Sequence, residues 1–232
     1  MHAVSTEYLL APPQHRVLRA TTDEHGPLIV LLHGFAGAPE DLAPFARSIG
    51  VAGRFVFPEG PADLSPFALP GRGWWPSDGV GRAAAIRGGS ARDLSEYEPE
   101  GLQQAHVAMS VLLDELCQET PAAPLILGGF SQGAMLAFDI ALRSTRPIAA
   151  LVQLSGARIA RRLWDPRLPE RAGLRAFISH GRLDPDLAFS ATESFERDLR
   201  AAGWLVDFCA FDGGHEVPLV ALRALKRFLR GL

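Results

Sequence analysis

The hydrophobic positions of this chain form two kinds of pattern, short unbroken runs and longer stretches with helical spacing. The runs Leu28–Leu32, Leu125–Leu127 and Ala149–Leu154 are typical of strands that are covered on both faces of a sheet. Between Leu102 and Glu119 the apolar residues instead recur every three or four positions, which predicts a helix with one buried side. Strands alternate with helices along most of the chain. This order predicts an α/β fold with a mostly parallel central sheet and helices on both faces.

The other predicted elements continue this alternation. We expect strands at Arg54–Phe57, Arg175–Ser179 and Trp204–Phe211, and helices at about 39–48, 189–202 and 218–230. Two short segments, Tyr8–Leu10 and Arg16–Ala20, can pair as an opening hairpin across Pro12-Pro13. No change of composition marks a second domain, so residues 1–232 are expected to form one domain.

One segment, residues 58–99, does not follow the alternation. It is rich in Gly, Pro, Ser and Arg and has little periodicity, which predicts a long irregular loop of the kind that is usually functional. Trp74 and Trp75 lie inside it. Either at least one of these large rings lines a substrate site, or both only fix the loop to the core. Residues 79–84 match the letters of a Gly-x-Gly-x-x-Ala dinucleotide motif, but no strand precedes them, so we assign no nucleotide there.

Composition narrows the classes of function. Of 232 residues, 47% are hydrophobic and 21% charged, and the formal net charge of -3 gives no field that would attract nucleic acid or an anionic membrane. No stretch approaches the roughly 18 apolar residues of a membrane-spanning helix, and the first residues carry no signal-peptide pattern. A soluble, cytoplasmic protein is therefore expected. Cys117 and Cys209 lack metal or redox spacing and are expected to be buried apolar residues.

The sequence Gly129-Phe130-Ser131-Gln132-Gly133 is the first sign of chemistry. An apolar run precedes it and an apolar helix follows it, so the serine is predicted to lie on a sharp turn between a strand and a helix. Such a turn holds the serine in a strained conformation with its hydroxyl accessible, and the flanking glycines avoid steric collisions. A serine hydroxyl is a weak nucleophile. The site therefore also needs a histidine base, an acid that orients this base, and N–H groups that bind the oxyanion.

Candidates for these partners follow other predicted strands. Asp184 and His215 each come after a strand, and the carboxyl ends of parallel strands meet at one edge of a sheet. The chain order Ser-Asp-His is that of the α/β-hydrolases. We therefore predict Ser131 as the nucleophile, His215 as the general base and Asp184 as the acid. The backbone N–H groups of Phe35 and Gln132 are the predicted oxyanion hole.

Several other polar residues are weaker candidates. Asp186 and Asp212 are alternatives for the acid, because one lies two residues after the proposed acid and the other three residues before the proposed base. His33 and His180 are expected to be structural, and His106 is expected on the surface of its helix. No His-Glu-x-x-His or similar spacing occurs, so we predict no metal site.

Together these segments resemble the phospholipase/carboxylesterase family of α/β-hydrolases, which includes the acyl-protein thioesterases. The resemblance rests on six segments: Leu32-His33-Gly34-Phe35-Ala36-Gly37, Trp74-Trp75, Gly129-Phe130-Ser131-Gln132-Gly133, Leu154-Ser155-Gly156, His180-Gly181-x-x-Asp184 and Gly214-His215-Glu216-Val217-Pro218. It spans residues 28–218. It implies an α/β-hydrolase fold without a large cap, small-molecule ester substrates, no cofactor and, as in many relatives, a homodimer.

The chain departs from the family pattern in two places. Ala36 stands where the family often has glycine, and Asp186-Leu187-Ala188 stands where it usually has Val-Val-Pro, which puts a charge beside the predicted acid. The predicted function is hydrolysis of carboxylic esters through an acyl-enzyme. A lysophospholipase or acyl thioesterase for longer chains, with a groove roofed by residues 58–99, is an alternative. A binding protein that keeps the fold without catalysis is a third.

Overall fold

The helices and strands follow the predicted alternation. A computed structural model describes residues 6–11, 15–67, 69–77 and 79–232, and for residues 6–11 and 15 it describes the backbone alone. The strands in these ranges are β1 (Thr6–Ala11), β2 (His15–Thr21), β3 (Leu28–Leu32), β4 (Arg54–Pro58), β5 (Ala62–Asp63), β6 (Arg72–Gly73), β7 (Leu125–Phe130), β8 (Ala150–Leu154), β9 (Arg175–Gly181) and β10 (Leu205–Phe211). The helices are α1 (Pro39–Leu42), α2 (Phe45–Ser48), α3 (Gly79–Arg87), α4 (Leu102–Glu119), α5 (Gln132–Arg143), α6 (Arg161–Trp164), α7 (Phe189–Ala201) and α8 (Leu219–Arg230).

Eight of these strands form one sheet, in the spatial order β1-β2-β4-β3-β7-β8-β9-β10. Neighbouring strands from β4 to β10 run parallel, whereas β2 pairs antiparallel with both β1 and β4. The predicted mostly parallel sheet is confirmed. The pairing of β1 with β2 also confirms the opening hairpin, whose predicted turn at Pro12-Pro13 lies outside the described residues.

The direction of strand addition reverses between β3 and β7. From β3 the chain continues outward to β4 on one side, and from β7 it continues to β8, β9 and β10 on the other. Ligands in open α/β sheets bind in the crevice at the carboxyl ends of the strands where such a reversal occurs. The residues that directly follow β3 and β7 include Phe35 and Ser131, two of the predicted site residues.

Apolar residues cover both faces of the sheet, as predicted. Successive side chains of a strand point to opposite faces of the sheet. On the first face Val30 packs in the core beneath α4, α5 and α7, and on the second face Ile29 packs in the core beneath α2 and α8. On the first face Phe138 of α5 stacks on Trp164 and on Trp204, with ring centroids 5.3 Å apart in each pair. These contacts hold α5 against α6 and against the residue that precedes β10.

Two predicted elements differ from the structure. The helix expected over residues 39–48 is divided into α1 and α2, because Pro44 has no N–H with which to continue the hydrogen bonds of α1. The segment 58–99 is not irregular throughout, since it contains α3 and the antiparallel pair β5–β6. No residue of α3 is buried, and its sequence therefore shows no apolar side by which a helix could be recognised.

Three residues lie in surroundings other than those expected. His106 is partly buried rather than exposed, since 13% of its side chain is accessible and its Nδ1 lies 2.7 Å from Oδ2 of the buried Asp139. Asp139 also accepts a hydrogen bond from Trp164 Nε1 at 2.9 Å. A buried carboxylate needs such partners, which explains why His106 packs against it. Cys117 and Cys209 are partly rather than fully buried.

Two kinds of feature do not occur in the part of the chain that the structure describes. None of its helices combines the length and the apolar character that crossing a bilayer requires. None of its His, Cys, Asp and Glu side chains form a group of three or more that could hold a metal ion.

Candidate active site

Ser131 occupies the turn between β7 and α5, as the sequence predicts. Its backbone has φ 53° and ψ -118°, a conformation that strains a residue with a side chain. Close packing requires the flanking glycines: a Cβ on Gly129 would lie 2.5 Å from the carbonyl oxygen of Leu32, and a Cβ on Gly133 would lie 2.2 Å from the same atom. α5 therefore crosses the end of β3 at a distance that only glycine allows, and Ser131 faces the crevice at the strand ends.

Ser131, His215 and Asp184 form a continuous chain of hydrogen bonds. Ser131 Oγ lies 2.8 Å from His215 Nε2, and His215 Nδ1 lies 2.7 Å from Asp184 Oδ2. These distances allow the hydroxyl to donate to Nε2 while the Nδ1–H donates to the carboxylate. The three residues follow β7, β10 and β9, so the sheet brings together side chains that are 84 and 31 positions apart in sequence.

The carboxylate of Asp184 is buried and well supplied with hydrogen-bond donors. Its Oδ1 accepts the backbone N–H groups of Asp186 at 2.8 Å and Leu187 at 2.9 Å. Burial by itself raises the pKa of this carboxyl, but the hydrogen bonds from His180, His215 and Leu187 act more strongly in the opposite direction. The pKa of Asp184 therefore lies well below its usual range, and the group is ionised at neutral pH.

His180, near the end of β9, also supports the Asp184 carboxylate. Its Nε2 lies 3.3 Å from Asp184 Oδ2 and 3.2 Å from the carbonyl oxygen of Leu187, and its Nδ1 lies 3.1 Å from the hydroxyl of Thr192. With the proton on Nε2, His180 donates into the turn and accepts from Thr192. This arrangement agrees with the structural role that the sequence predicts for His180.

The loop that carries His215 is held by its neighbours. The hydroxyl of Ser155, at the end of β8, donates to the carbonyl oxygen of Glu216 at 2.9 Å. A Cβ on Gly181, at the end of β9, would lie 2.2 Å from the carbonyl oxygen of Gly214. Contacts on both sides of His215 thus fix the imidazole between the acid and the serine.

The predicted oxyanion donors lie on either side of Ser131. Gln132 is the first residue of α5, where a backbone N–H has no acceptor inside the helix. Phe35 lies in the loop after β3. In this loop a Cβ on Gly34 would lie 3.5 Å from the Ser131 Cβ, so the loop packs against the serine. No acceptor within the described residues is bonded to the N–H of Phe35. Ala36, where the family resemblance predicts glycine, has φ 58° and carries strain of roughly 1–2 kcal/mol.

His33 begins this loop and has a structural role, as expected. The N–H of Gly60 donates to its Nε2 at 2.9 Å, and its Nδ1 lies 2.8 Å from the carbonyl oxygen of Gly34. Burial lowers the pKa of His33, which keeps the imidazole neutral. His33 therefore ties the loop after β3 to the segment 58–99.

The two tryptophans differ in position. Trp75 lines a cavity beside Ser131, whereas Trp74 does not line it, and this fits the alternative in which at least one of the two rings lines a site. Trp74 Nε1 donates to the carbonyl oxygen of His33 at 2.8 Å, which pins the loop to the core. The side chain of Gln132 holds both residues, because its Oε1 accepts the N–H of Trp74 and its Nε2 donates to the carbonyl oxygen of Trp75, each at 2.9 Å.

The cavity beside Ser131 has a volume of about 230 Å³. Its apolar wall consists of Phe35, Trp75, Leu94, Tyr97, Met135 and Leu187. This volume is smaller than the roughly 300–1,000 Å³ of sites that bind drug-sized ligands. The cavity is therefore suited to a small molecule with a short apolar part.

The same cavity has a charged part formed by Arg82, Arg92 and Asp186. Asp186 is nearly fully buried and accepts hydrogen bonds from Arg82 Nε at 2.5 Å and from Arg92 Nε at 3.1 Å. Its carboxylate thus faces the arginines. Asp212 is exposed, and among the hydrogen bonds of the described chain neither Asp186 nor Asp212 contacts the imidazole of His215.

Arg82 and Arg92 are the site residues that the sequence analysis misses. Both belong to the segment 58–99, where the abundance of arginine is visible, and Arg82 lies within the rejected dinucleotide-like motif. The presence of Asp186 in the sequence is the signal that could have pointed to these arginines. A carboxylate in a position where the family pattern is apolar needs cationic partners if it is buried.

Comparisons with known sequences agree with this geometry. Residues 13–232 match the family model for phospholipase/carboxylesterase proteins. An acyl-protein thioesterase 1 from Neurospora crassa is 25% identical over 206 residues, which cover 85% of this chain and 80% of the relative. An acyl-protein thioesterase 1 from Aspergillus fumigatus is 23% identical over 236 residues, which cover 95% of this chain and 94% of the relative.

Solved structures show the same architecture. The crystal structure of esterase PE8 has 26% sequence identity and a TM-score of 0.74, and the match covers 98% of this chain and 99% of PE8. A carboxylesterase from Mesorhizobium loti has 17% identity and a TM-score of 0.76 over 98% of this chain and 99% of that protein. The second likeness shows the fold alone.

Replacing Gly133 by alanine is expected to destabilise the protein, because the new Cβ would lie 2.2 Å from the carbonyl oxygen of Leu32 and 2.4 Å from that of His33. We expect the free energy of unfolding, measured by urea denaturation, to fall by about 3 kcal/mol. Gly79→Ala is the control, since among the described residues its Cβ would meet only Leu69 Cδ1, at 3.6 Å. Equal stability of the Gly133→Ala and Gly79→Ala variants would contradict the close crossing of α5 and β3.

The low pKa of Asp184 predicts a pH-dependent contribution to stability. The folded pKa lies below the unfolded value of about 3.9, so this contribution is fully present above about pH 5 and is lost as the pH falls toward the folded pKa. The difference in unfolding free energy between wild type and Asp184→Asn should therefore shrink from about pH 6 to about pH 3. Chemical denaturation across this range measures the difference, and a difference that grows on acidification would contradict the assignment.

Proposed function

This chain belongs to the phospholipase/carboxylesterase family of α/β-hydrolases, and on that premise we propose that it hydrolyses carboxylic esters with Ser131 as the nucleophile. Its relatives and structural neighbours are esterases and thioesterases, and the chain is a hydrolase that acts on carboxylic esters. The proposed roles of individual residues rest on one observation, the hydrogen-bond chain from Ser131 through His215 to Asp184. Family and geometry together argue against a non-catalytic binding protein.

In the acylation step, His215 Nε2 takes the hydroxyl proton while Ser131 Oγ attacks the carbonyl carbon of the ester. The carbonyl π electrons move to oxygen and give a tetrahedral intermediate. When this intermediate collapses, the bond to the leaving alcohol breaks and the His215 imidazolium donates its proton to the departing oxygen. The acyl group then remains bonded to Ser131.

The negative charge of the intermediate is assigned to the N–H groups of Phe35 and Gln132. Both are backbone donors near Ser131 without an acceptor in the described chain, and Gln132 adds the positive end of the α5 dipole. The site holds these donors before substrate binds, so the reaction does not have to reorganise them.

Deacylation repeats these steps with water as the nucleophile. His215 takes a proton from the water while the water oxygen attacks the acyl carbon. The imidazolium then gives this proton to Ser131 Oγ as the bond between Oγ and the acyl carbon breaks, which releases the acid. Asp184 stays ionised throughout because its pKa is low. Its carboxylate keeps the proton on Nδ1 and stabilises the imidazolium that forms in each half-reaction.

The cavity supports a short-chain ester rather than a long-chain lipid. Its volume of about 230 Å³ suits a short acyl chain, and Arg82 and Arg92 form part of its wall. Burying a long apolar chain against guanidinium groups would cost their hydration. One relative is an acyl-protein thioesterase 1, and a thioester of a short acid is compatible with the same site, because Ser131 can attack a thioester carbonyl as it attacks an ester.

Replacing Asp184 by asparagine is expected to lower kcat for 4-nitrophenyl acetate by about 10⁴-fold, because the imidazole loses its orienting carboxylate. Asp212→Asn is the matched control and should keep kcat within about twofold, since Asp212 is exposed. Ser131→Ala gives the background rate. The acid would have to be reassigned if Asp212→Asn were impaired and Asp184→Asn active.

A series of 4-nitrophenyl esters from acetate to palmitate is expected to show the highest kcat/KM at short acyl chains, because the cavity is small. Acyl thioesters of the same acids should follow the same dependence on chain length. The dependence of kcat/KM on chain length is measured by steady-state kinetics, below the critical micelle concentration of the long esters. A kcat/KM that rises continuously to palmitate would favour the lysophospholipase or long-chain thioesterase alternative.

A further inference from the structure

The charged part of the cavity is built around a carboxylate that the reaction does not use. The side chain of Asp186 is 3% exposed, whereas those of Arg82 and Arg92 are 32% and 24% exposed. The two guanidinium groups thus reach the cavity, while the carboxylate that holds them lies behind. All three residues line the same space as Ser131.

This cluster has an excess of positive charge and unused hydrogen-bond donors. Among the described residues, these two guanidinium groups face one carboxylate, so this set of three side chains has an excess of positive charge. Arg82 bonds to Asp186 through Nε, and Arg92 through Nε and Nη2. Within the described residues no acceptor is bonded to the two terminal nitrogens of Arg82 or to Nη1 of Arg92. A guanidinium group with free donors in a fixed orientation binds carboxylates well.

Holding the loop in place does not by itself account for the ion pairs. Backbone hydrogen bonds already join the segment 58–99 to the turn after β9. The N–H of Arg92 donates to the carbonyl oxygen of Asp186 at 2.8 Å, and the N–H of Ala188 donates to the carbonyl oxygen of Arg92 at 2.9 Å. Buried ion pairs are expensive to desolvate, and apolar residues of similar volume generally stabilise a fold as well or better. The cluster is therefore better explained by a ligand that uses its charge.

We propose that Arg82 and Arg92, oriented by Asp186, select esters that carry a carboxylate a short distance from the scissile carbonyl. The proposal rests on the function proposed for Ser131, since both groups would act on one substrate in one cavity. The apolar wall would contact the carbon chain, and the arginines would bind the anionic end. The anionic group can belong to the acyl part or to the alcohol part of the ester, and the two positions need separate substrates.

The test for the acyl part compares mono-4-nitrophenyl adipate with 4-nitrophenyl hexanoate, which has the same chain length and no charge. The adipate spacer is long enough to disfavour attack of the carboxylate on its own ester. We expect the ratio of kcat/KM for adipate over hexanoate to fall about 10- to 100-fold in the double variant Arg82→Gln, Arg92→Gln, mainly through KM. The test for the alcohol part compares the acetate esters of 4-hydroxybenzoate and 4-hydroxybenzamide in the same way.

Arg87→Gln is the matched control, because Arg87 lies on α3 like Arg82 but is exposed and does not line the cavity. This variant should keep the wild-type ratio. Raising the salt concentration should also lower the preference for the anionic ester in the wild type. If the double variant does not fold, the single variants Arg82→Gln and Arg82→Lys are compared, and the lysine variant, which keeps the charge, should lose less of the preference than the glutamine variant.

Two results would overturn the proposal: a wild type that prefers neither anionic ester, and an unchanged ratio in the arginine variants, in which any losses on charged and neutral esters are equal. The last result would show that the arginines only position the loop. Neither result bears on Ser131, because the proposed function fails separately if hydrolysis of the neutral ester persists in Ser131→Ala.

Discussion

The hydrogen bond between His215 and the buried carboxylate of Asp184 is the contact on which the rest of the site depends. A buried carboxylate must be matched by donors, and here they come from the turn after β9, from His180 and from His215. The same bond turns Nε2 of the imidazole toward Ser131. The low pKa of Asp184 and the position of the base are therefore two consequences of one arrangement.

The turn that provides the acid also forms part of the cavity. Asp184 faces His215, and two residues later Asp186 faces Arg82 and Arg92. The N–H of Asp186 donates to the Asp184 carboxylate, and its carbonyl oxygen accepts from the N–H of Arg92. The acid and the charged wall are thus parts of one hydrogen-bonded unit. Asp186 therefore contributes a charge to the cavity wall, while its N–H still supports the acid.

The parts of the structure that sequence predicts are those with local signals. The buried runs predict the sheet, and the glycines around Ser131 predict the turn, because each signal lies within a few residues. The partners of buried charges lie far apart in sequence, as Arg82 and Asp186 do at a separation of 104 residues, so patterns of hydrophobicity do not reveal them. Trp74 and Trp75 are identical in type, and only their packing distinguishes them. The homodimer, the cytoplasmic location and the single domain remain predictions.

Ser131 is proposed to form the acyl-enzyme, and locating a covalent adduct on the chain tests this role. The wild-type protein can be treated with a fluorophosphonate and the modified peptide identified by mass spectrometry. We predict one adduct, on Ser131, and slower labelling when a competing short-chain ester is present. An adduct on another residue, or the absence of any adduct in a preparation that hydrolyses esters, would contradict the account.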